Sequence, residues 1–458
     1  MKLSINNFKT IRELKGFNFN SINIISGVNS SGKTSFIQFL LMLKQTVEAH
    51  STHSALIFDG NWVKLGDYDT LVYKKDASKS MGFELQFDKK DIDEKFQPIY
   101  GIEEVSVKVS YAQKDNSCVV SNIMITYNTP QMQRKDHSIS FVKEDNTYKV
   151  DISKHTALFG DFSELLENQG TLGGISFFPT IFLTETNNPN SEIDGTLKKR
   201  IAIEVKTKEI QDIVSSIFTN VSYIGPLREE PQDLYSSNGK NKYIGSKGEY
   251  AAQFFEEEAN GTVEFYDIQN NELKEMSLSN AVKYWICDVF NLAKYIKAEK
   301  YKDSYVVKVV NHYDVESTIR QVGFGISQVL PIIVEGLRMN KNGILILEQP
   351  EIHLHPKVQS LLFDFIYSLS LTGKRFVIET HSDHFITRMR RRVAESSNNL
   401  SEKINLVFVE ERESEHLFRK LNLDDMGTFD YFPKDFVEQT EDYGAIIMAQ
   451  ANKAKAKK

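Results

Sequence analysis

The segment Gly27-Val28-Asn29-Ser30-Ser31-Gly32-Lys33-Thr34 has the spacing Gly-x-x-x-x-Gly-Lys-Thr. It stands between a mostly apolar run, Ile22 to Ile25, that reads as a strand and a stretch from Ser35 to Glu48 that reads as a helix. Strand, glycine loop and helix in that order form a Walker A element. Its backbone N–H groups and the positive end of the helix converge on one point, where a chain of phosphates fits. Gly27 and Gly32 let the backbone wrap the anion, Lys33 would reach the β- and γ-phosphates, and Thr34 would hold Mg²⁺. Asn29, Ser30, Ser31, Gly32, Lys33, Thr34 and Ser35 are the candidate nucleotide contacts, and the expected ligand is ATP or GTP.

A chain of 458 residues can support two or three packing units. No apolar run approaches the roughly 20 residues needed to span a bilayer, and the polar start Met1 to Lys9 does not read as a signal peptide. A cytoplasmic protein with no membrane association is expected. Cys118 and Cys287 are too few for a disulfide framework or a four-cysteine metal site. The net charge of −7 argues against a uniformly basic nucleic-acid surface, though two local patches stand out. Lys453, Lys455, Lys457 and Lys458 read as a frayed, solvated terminus, whereas Arg388, Arg390, Arg391 and Arg392 leave a nucleic-acid contact open.

Four regions follow from the pattern. Residues 1–75 carry the phosphate loop. Residues 76–220 switch to alternating β-branched runs such as Val105 to Tyr111, Ile123 to Tyr127 and Ser138 to Val142, an antiparallel insertion followed by a loop-rich part and a helix near Lys208 to Phe218. Residues 221–400 return to mixed α/β patterning, which continues through 401–458, a stretch that closes with the basic tail. Ile344 to Leu347 and Arg375 to Glu379 are continuous apolar runs suited to central strands of a covered parallel sheet.

The first of those strands delivers Glu348 at its carboxyl end, the form of a Walker B element whose carboxylate holds Mg²⁺. Upstream, Gly323-Phe324-Gly325-Ile326-Ser327 reads as a helix start that offers a second anion site. The second strand leads to His381. His353, His355, His381 and His384 carry spacings that also occur in metal sites, an alternative to their placement at strand ends.

Walker A, a signature helix, Walker B and a switch histidine, in this order, resemble the ATP-binding-cassette class of P-loop ATPases. More narrowly, the chain resembles the branch containing SMC-like, RecF-like and OLD-type ATPases, because a large insertion splits the cassette. Within it, Tyr223 to Arg228, Gly323 to Pro331, Glu348 to Pro356 and Glu379 to Arg392 are similar to a bacterial group of stand-alone ATPases, and Asp430 to Phe436 is similar to their short C-terminal domain. The resemblance implies an α/β fold, an ABC-type P-loop ATPase head of two lobes interrupted by a mostly antiparallel β insertion. It assigns Lys33 and Thr34 to nucleotide and Mg²⁺, Ser327 to the γ-phosphate of a nucleotide on a second subunit, and His381 to sensing that phosphate. Asp67 or Asp69 falls near the expected Q-loop position.

One departure matters. The residue after the Walker B carboxylate is usually Glu and here is Gln349, an amide that can orient water but cannot take its proton. Slow turnover is expected unless Glu351 or His381 serves as base. The resemblance also implies a homo-oligomer, a dimer or an assembly of dimers, with ATP between Lys33 of one subunit and Ser327 of another. It further implies a nuclease or toxin effector as partner, as in Septu-like anti-phage pairs. A DNA-repair or chromosome-maintenance ATPase on duplex DNA is the competing reading. A self-contained nuclease with a Toprim domain has little room after His384, and a transporter motor lacks a recognisable coupling surface.

Overall fold

The computed structural model describes residues 1–28, 31–49, 55–91, 104–114, 117–128, 137–144, 147–151, 170–173, 180–183, 210–237, 239, 242–396, 399–412, 415–431, 433 and 443–456. They fall into two compact units. The first is Met1–Phe19, Thr34–Thr219 and Glu411–Leu417, and the second is Asn20–Lys33, Asn220–Glu410 and Phe418–Lys458.

The chain opens with an antiparallel hairpin, β1 (Lys2–Phe8) and β2 (Ile11–Asn18), followed by β3 (Ile22–Gly27) and the helix Lys33–Ala49. The next strands are β4 (Met81–Asp88), β5 (Glu104–Lys114), β6 (Ser117–Asn128), β7 (His137–Glu144), β8 (Thr147–Asp151), β9 (Gly170–Gly173) and β10 (Thr180–Leu183). β4 pairs antiparallel with β1, so these strands continue the hairpin into one nine-stranded sheet, ordered β10-β9-β8-β7-β6-β5-β4-β1-β2. Alternation in β4 and β5 buries Phe83, Leu85, Phe87, Val105, Val107, Val109 and Tyr111 on one face. Phe39 of the helix meets Phe8 and Phe83 edge-on, with ring centroids 5.1 and 5.8 Å apart, which anchors the helix to this sheet. Residues 210–219 are helical, as expected, while Asn187 to Asn190 lie outside the described residues.

The second unit is built on a six-stranded sheet. Its strands are β11 (Val221–Ile224), β18 (Ile344–Glu348), β19 (Arg375–Glu379), β20 (Ile404–Arg412) and β21 (Glu415–Leu421) together with β3, in the order β11-β18-β19-β3-β20-β21. Between β11 and β18 the chain forms β12 (Tyr235–Ser236), β13 (Thr262–Asp267), β14 (Glu272–Ser277), β15 (Tyr295–Tyr301), β16 (Ser304–Val310) and β17 (Glu316–Thr318). The neighbours from β11 through β20 run parallel, so their carboxyl ends share one edge. β18 and β19 are buried almost throughout, as continuous apolar runs require in a covered parallel sheet. The helices Phe324–Arg338, Pro356–Ser370 and Asp383–Glu395 supply Ile332, Ile333, Phe365 and Phe385 to the same core. The expected α/β P-loop head with antiparallel β-sheet is the fold observed. Among the described residues no helix is long and apolar enough to cross a membrane.

The arginine group is internal hardware rather than an open basic patch. Arg388 and Arg392 converge on the Asp364 carboxylate, with Nη2 to Oδ2 distances of 2.6 and 2.8 Å. Arg390 is buried and donates from Nε to the Gly427 carbonyl, and Arg391 pairs with Glu395. Burial alone would raise the Asp364 carboxyl, but the bonds from Arg392 and Arg388 hold it below its ordinary range. The lysine tail is also more ordered than expected. Tyr443–Ala456 is a helix, and Lys453 donates to the Val393 and Asp425 carbonyls. Lys457 and Lys458 lie outside the described residues.

Asp364→Ala removes the buried carboxylate on which Arg388 and Arg392 converge, leaving Arg392 only its Glu395 contact, and removing one partner of a buried pair typically costs about 3 to 5 kcal/mol. Chemical denaturation of the variant should show a loss of that order.

Candidate nucleotide site

β3 is buried along its whole length and ends at Gly27, where φ is +147°. A Cβ on Gly27 would stand 2.3 Å from the Val409 carbonyl oxygen of β20, so only glycine lets the loop leave the sheet here. Gly32 turns the chain again at φ +91° just before the helix starts at Lys33. Lys33 is 3% exposed, and its Nζ donates back to the carbonyls of Gly27 at 3.1 Å and Val28 at 2.7 Å. Burial lowers the ammonium pKa, while the Glu379 carboxylate opposes that shift. The Ser31 hydroxyl is buried with no hydrogen-bond partner among the described residues. Asn29 and Ser30 lie outside the described residues. Thr34 and Ser35 fall in the first unit, where Thr34 is exposed and Ser35 Oγ accepts from Thr10 at 2.9 Å.

β18 and β19 pair in register so that Glu348 and Glu379 lie side by side at the carboxyl edge, both buried. The Tyr223 hydroxyl donates to Glu348 Oε1 at 3.1 Å. Burial, and then the Glu379 charge, push the Glu348 carboxyl from 4.5 to about 7. Beyond it the chain turns sharply. Gln349 has φ +42°, a left-handed conformation for a side-chain-bearing residue, and its N–H donates to the Glu379 carbonyl at 2.7 Å. Arg228, 6% exposed, donates from Nη1 to the Gln349 carbonyl and from Nη2 to the Glu348 carbonyl, at 3.1 and 3.3 Å. Its burial lowers the guanidinium pKa to about 10.

Glu351 Oε1 accepts from the His381 N–H at 2.7 Å, which ties the turn after β18 to the turn after β19. Burial raises the Glu351 carboxyl, against the bonds from the His381 N–H and the Thr380 side chain that lower it. Burial, and then the Lys33 charge, hold the His381 imidazole below its ordinary value, so it is neutral at pH 7.

The structure thus gathers Lys33, Glu348, Gln349, Glu351 and His381 around the carboxyl ends of β3, β18 and β19. Ser327 lies elsewhere in its helix than expected. The helix begins at Phe324 with Gly323 as its N-cap, so Ser327 sits one turn inside. It is 5% exposed, and its hydroxyl donates to the Phe324 carbonyl at 2.8 Å. Asp67 and Asp69 are exposed residues of the first unit, Asp67 at the N-cap of the short helix Tyr68–Leu71 and Asp69 in its first turn. His353 stands near the Phe324 ring with centroids 6.2 Å apart, His355 caps the helix Pro356–Ser370, and the His384 carbonyl accepts from Ser360. Among the described residues no His, Cys, Asp or Glu cluster could by itself hold a metal, so the histidine metal-site alternative finds no support there. Glu379, Tyr223 and Arg228 escaped the sequence reading of the site. The signal available was the matching acidic ends of two apolar strands.

A family model described as AAA ATPase domain matches residues 1–386. The chain belongs to the AAA ATPase domain family. No curated protein sequence matches it. Among solved structures, this AAA ATPase domain chain is similar to an SMC head domain from Thermotoga maritima at 11% identity, covering 92% of this chain and 97% of that one, with TM-score 0.39. It is also similar to an SmcHead bound to the C-winged helix domain of ScpA, at 12% identity, with coverages of 92% and 97% and TM-score 0.42. A third is a Smc head domain with an extended coiled coil, bound to the C-terminal domain of ScpA derived from Pyrococcus furiosus. It shares 13% identity, with coverages of 92% and 96% and TM-score 0.35. Scores this low carry nothing about ligand or partner.

The raised Glu348 carboxyl has a pH signature. Between pH 4.5 and about 7 the folded, nucleotide-free protein keeps a proton that the unfolded chain has released, so this group's contribution to stability falls as pH rises and is lost above 7. The full effect is on the order of 3 kcal/mol. Glu348→Gln should therefore melt progressively higher relative to the parent as pH goes from about 5 to about 8. A melting difference that does not change with pH would contradict the assignment.

Proposed function

We propose that this AAA ATPase domain protein binds Mg²⁺·ATP at the Gly27–Thr34 loop, turns it over slowly, and acts as a nucleotide-gated switch. The carrying observation is the buried Lys33 ammonium. It rests on the Gly27 and Val28 carbonyls beside the Glu379 charge and is the side chain that a phosphate chain would draw off them. The residues fit the ligand. The unpartnered Ser31 hydroxyl lies in the loop that would wrap the phosphates, and the Glu348 and Glu379 carboxylates offer a divalent cation the negative charge that burial makes costly without one. Glu348 is the proposed ligand there. Mg²⁺, when bound, would offset phosphate charge.

Slow turnover is proposed from Gln349. Its amide can hold the attacking water but cannot take a proton, and Glu351 already receives the His381 N–H. His381, neutral at pH 7, can accept a hydrogen bond from water and report on a phosphate that approaches it.

The switch is proposed to work between copies of the chain. Among the described residues a Cβ on Gly323 or Gly325 would meet nothing within 4 Å and Phe324 is 56% exposed, so none of them requires two glycines at this helix start. Close approach of a second subunit and its nucleotide gives them a role, and Ser327 would join by giving up its bond to the Phe324 carbonyl. A nuclease or toxin effector in anti-phage defence is the proposed partner, resting on the similarity of Tyr223 to Arg228 and Glu379 to Arg392 to stand-alone bacterial ATPases. The duplex-DNA reading gains nothing from Arg388, Arg390, Arg391 and Arg392, which are engaged within the fold.

Lys33→Ala should abolish ATP binding in calorimetry while the protein stays folded, and should erase any ATP-dependent change in the proteins that copurify with it. Wild-type affinity in the variant would defeat the proposal. Gln349→Glu should accelerate hydrolysis, since a positioned base is worth about 10²- to 10⁴-fold. An unchanged rate would show that the position does not face the attacking water.

A further inference from the structure

The segment Tyr223 to Arg228 contributes two polar side chains, half-buried Tyr223 and buried Arg228, for which the nucleotide chemistry above assigns no task. Arg228 is the more informative. A guanidinium 94% buried is expected to meet a carboxylate, yet its three hydrogen bonds to described residues all go to main-chain carbonyls: Pro226 at 3.3 Å, Gln349 at 3.1 Å and Glu348 at 3.3 Å. Two of these belong to consecutive residues at the point where the chain leaves β18. The planar fork of Arg can span adjacent carbonyls, and the single ammonium of Lys cannot do so with the same geometry.

What this clamp holds is a strained turn. Gln349 occupies the left-handed region at φ +42°, a conformation that costs roughly 1 to 3 kcal/mol and persists only where surroundings enforce it. Three contacts enforce it: the Gln349 N–H to the Glu379 carbonyl, the Ile352 N–H to the Gln349 carbonyl at 3.2 Å, and Arg228 on that same carbonyl. On the carboxylate side, Tyr223 donates to Glu348 from the neighbouring strand. One short segment therefore grips both the backbone and the side chain of the Walker B end.

We propose that Arg228 is a positioning residue for hydrolysis, holding the Glu348–Gln349 carbonyls so that the Gln349 amide faces the reacting phosphate. This rests on the ATPase reading above. Its effect runs through Gln349, whose carbonyl it bonds.

The test compares Arg228→Ala and Arg228→Lys with the parent and with Gln349→Ala, in the full-length chain. Single-turnover hydrolysis at saturating Mg²⁺·ATP should fall about 10- to 100-fold in Arg228→Ala, the scale of a displacement near 1 Å at a reacting group. Arg228→Lys should fall between it and the parent, and the ATP dissociation constant should change less than about threefold in both. In the Gln349→Ala background, Arg228→Ala should slow turnover by less than about twofold, because the side chain it positions is gone. Equal losses in the two backgrounds, or a loss confined to ATP affinity, would overturn the proposal. Hydrogen exchange gives a reading that needs no hydrolysis. The amides of Gln349 and Ile352 should exchange faster in both Arg228 variants while the rest of β18 and β19 stays protected. Uniform acceleration across the second unit would mark Arg228 as a packing residue and defeat the clamp. Failure of the parent to bind ATP would instead defeat the ATPase reading, with the exchange result still deciding the clamp.

Discussion

Two carboxylates that cannot comfortably be charged together organise the candidate site. Glu348 and Glu379 meet because β18 and β19 run parallel and in register, so matching sequence positions arrive at the same edge. Burial removes the water that would screen them, and the Glu348 carboxyl rises to about 7. Two cations sit within electrostatic reach. Lys33 lies on the side of Glu379, on a flexible stem, and Arg228 lies under Glu348 and Glu351, locked in a fork of carbonyl contacts. Both cations bond main-chain carbonyls, Lys33 through a single ammonium and Arg228 through its planar fork.

The same economy governs the remaining basic residues of the second unit. Asp364, set among apolar side chains, receives both Arg388 and Arg392, and it stays ionised because their bonds outweigh the cost of burial. Lys374 is buried too, and it donates to the Gly336 and Leu337 carbonyls at the end of the helix Phe324–Arg338, where the helix dipole favours a cation. Its ammonium falls to about 8 through burial. A cluster of basic letters in a sequence therefore says little about a nucleic-acid surface until the partners of each side chain are known.

Much of the site was legible because it follows from strand and loop chemistry. The Gly27–Thr34 loop, the acidic end of β18 and the histidine after β19 all lie next to strands whose apolar runs mark them as central. Ser327 was harder. The letters Gly-Phe-Gly-Ile-Ser suit several helix starts, and the start at Phe324 puts the serine one turn inside, bonded to its own helix. Arg228 was harder still, because nothing local predicts that a guanidinium about 120 positions away in the chain will bond the backbone of the Walker B turn.

By itself the sequence determined the class of the protein. The glycine spacing, the two apolar strands with acidic ends and the alternating β-branched runs allow an α/β head that binds a nucleotide and carries antiparallel sheet, because these features depend on periodicity and on φ angles that few residues tolerate. Tertiary structure alone decided which charges face one another. It made β4 continue the sheet of β1, turned Arg388 and Arg392 inward onto Asp364, placed Glu379 beside Glu348, and bent Gln349 into a left-handed turn. Register, burial and long-range hydrogen bonds set these outcomes, and each joins residues whose separation along the chain leaves no local signal.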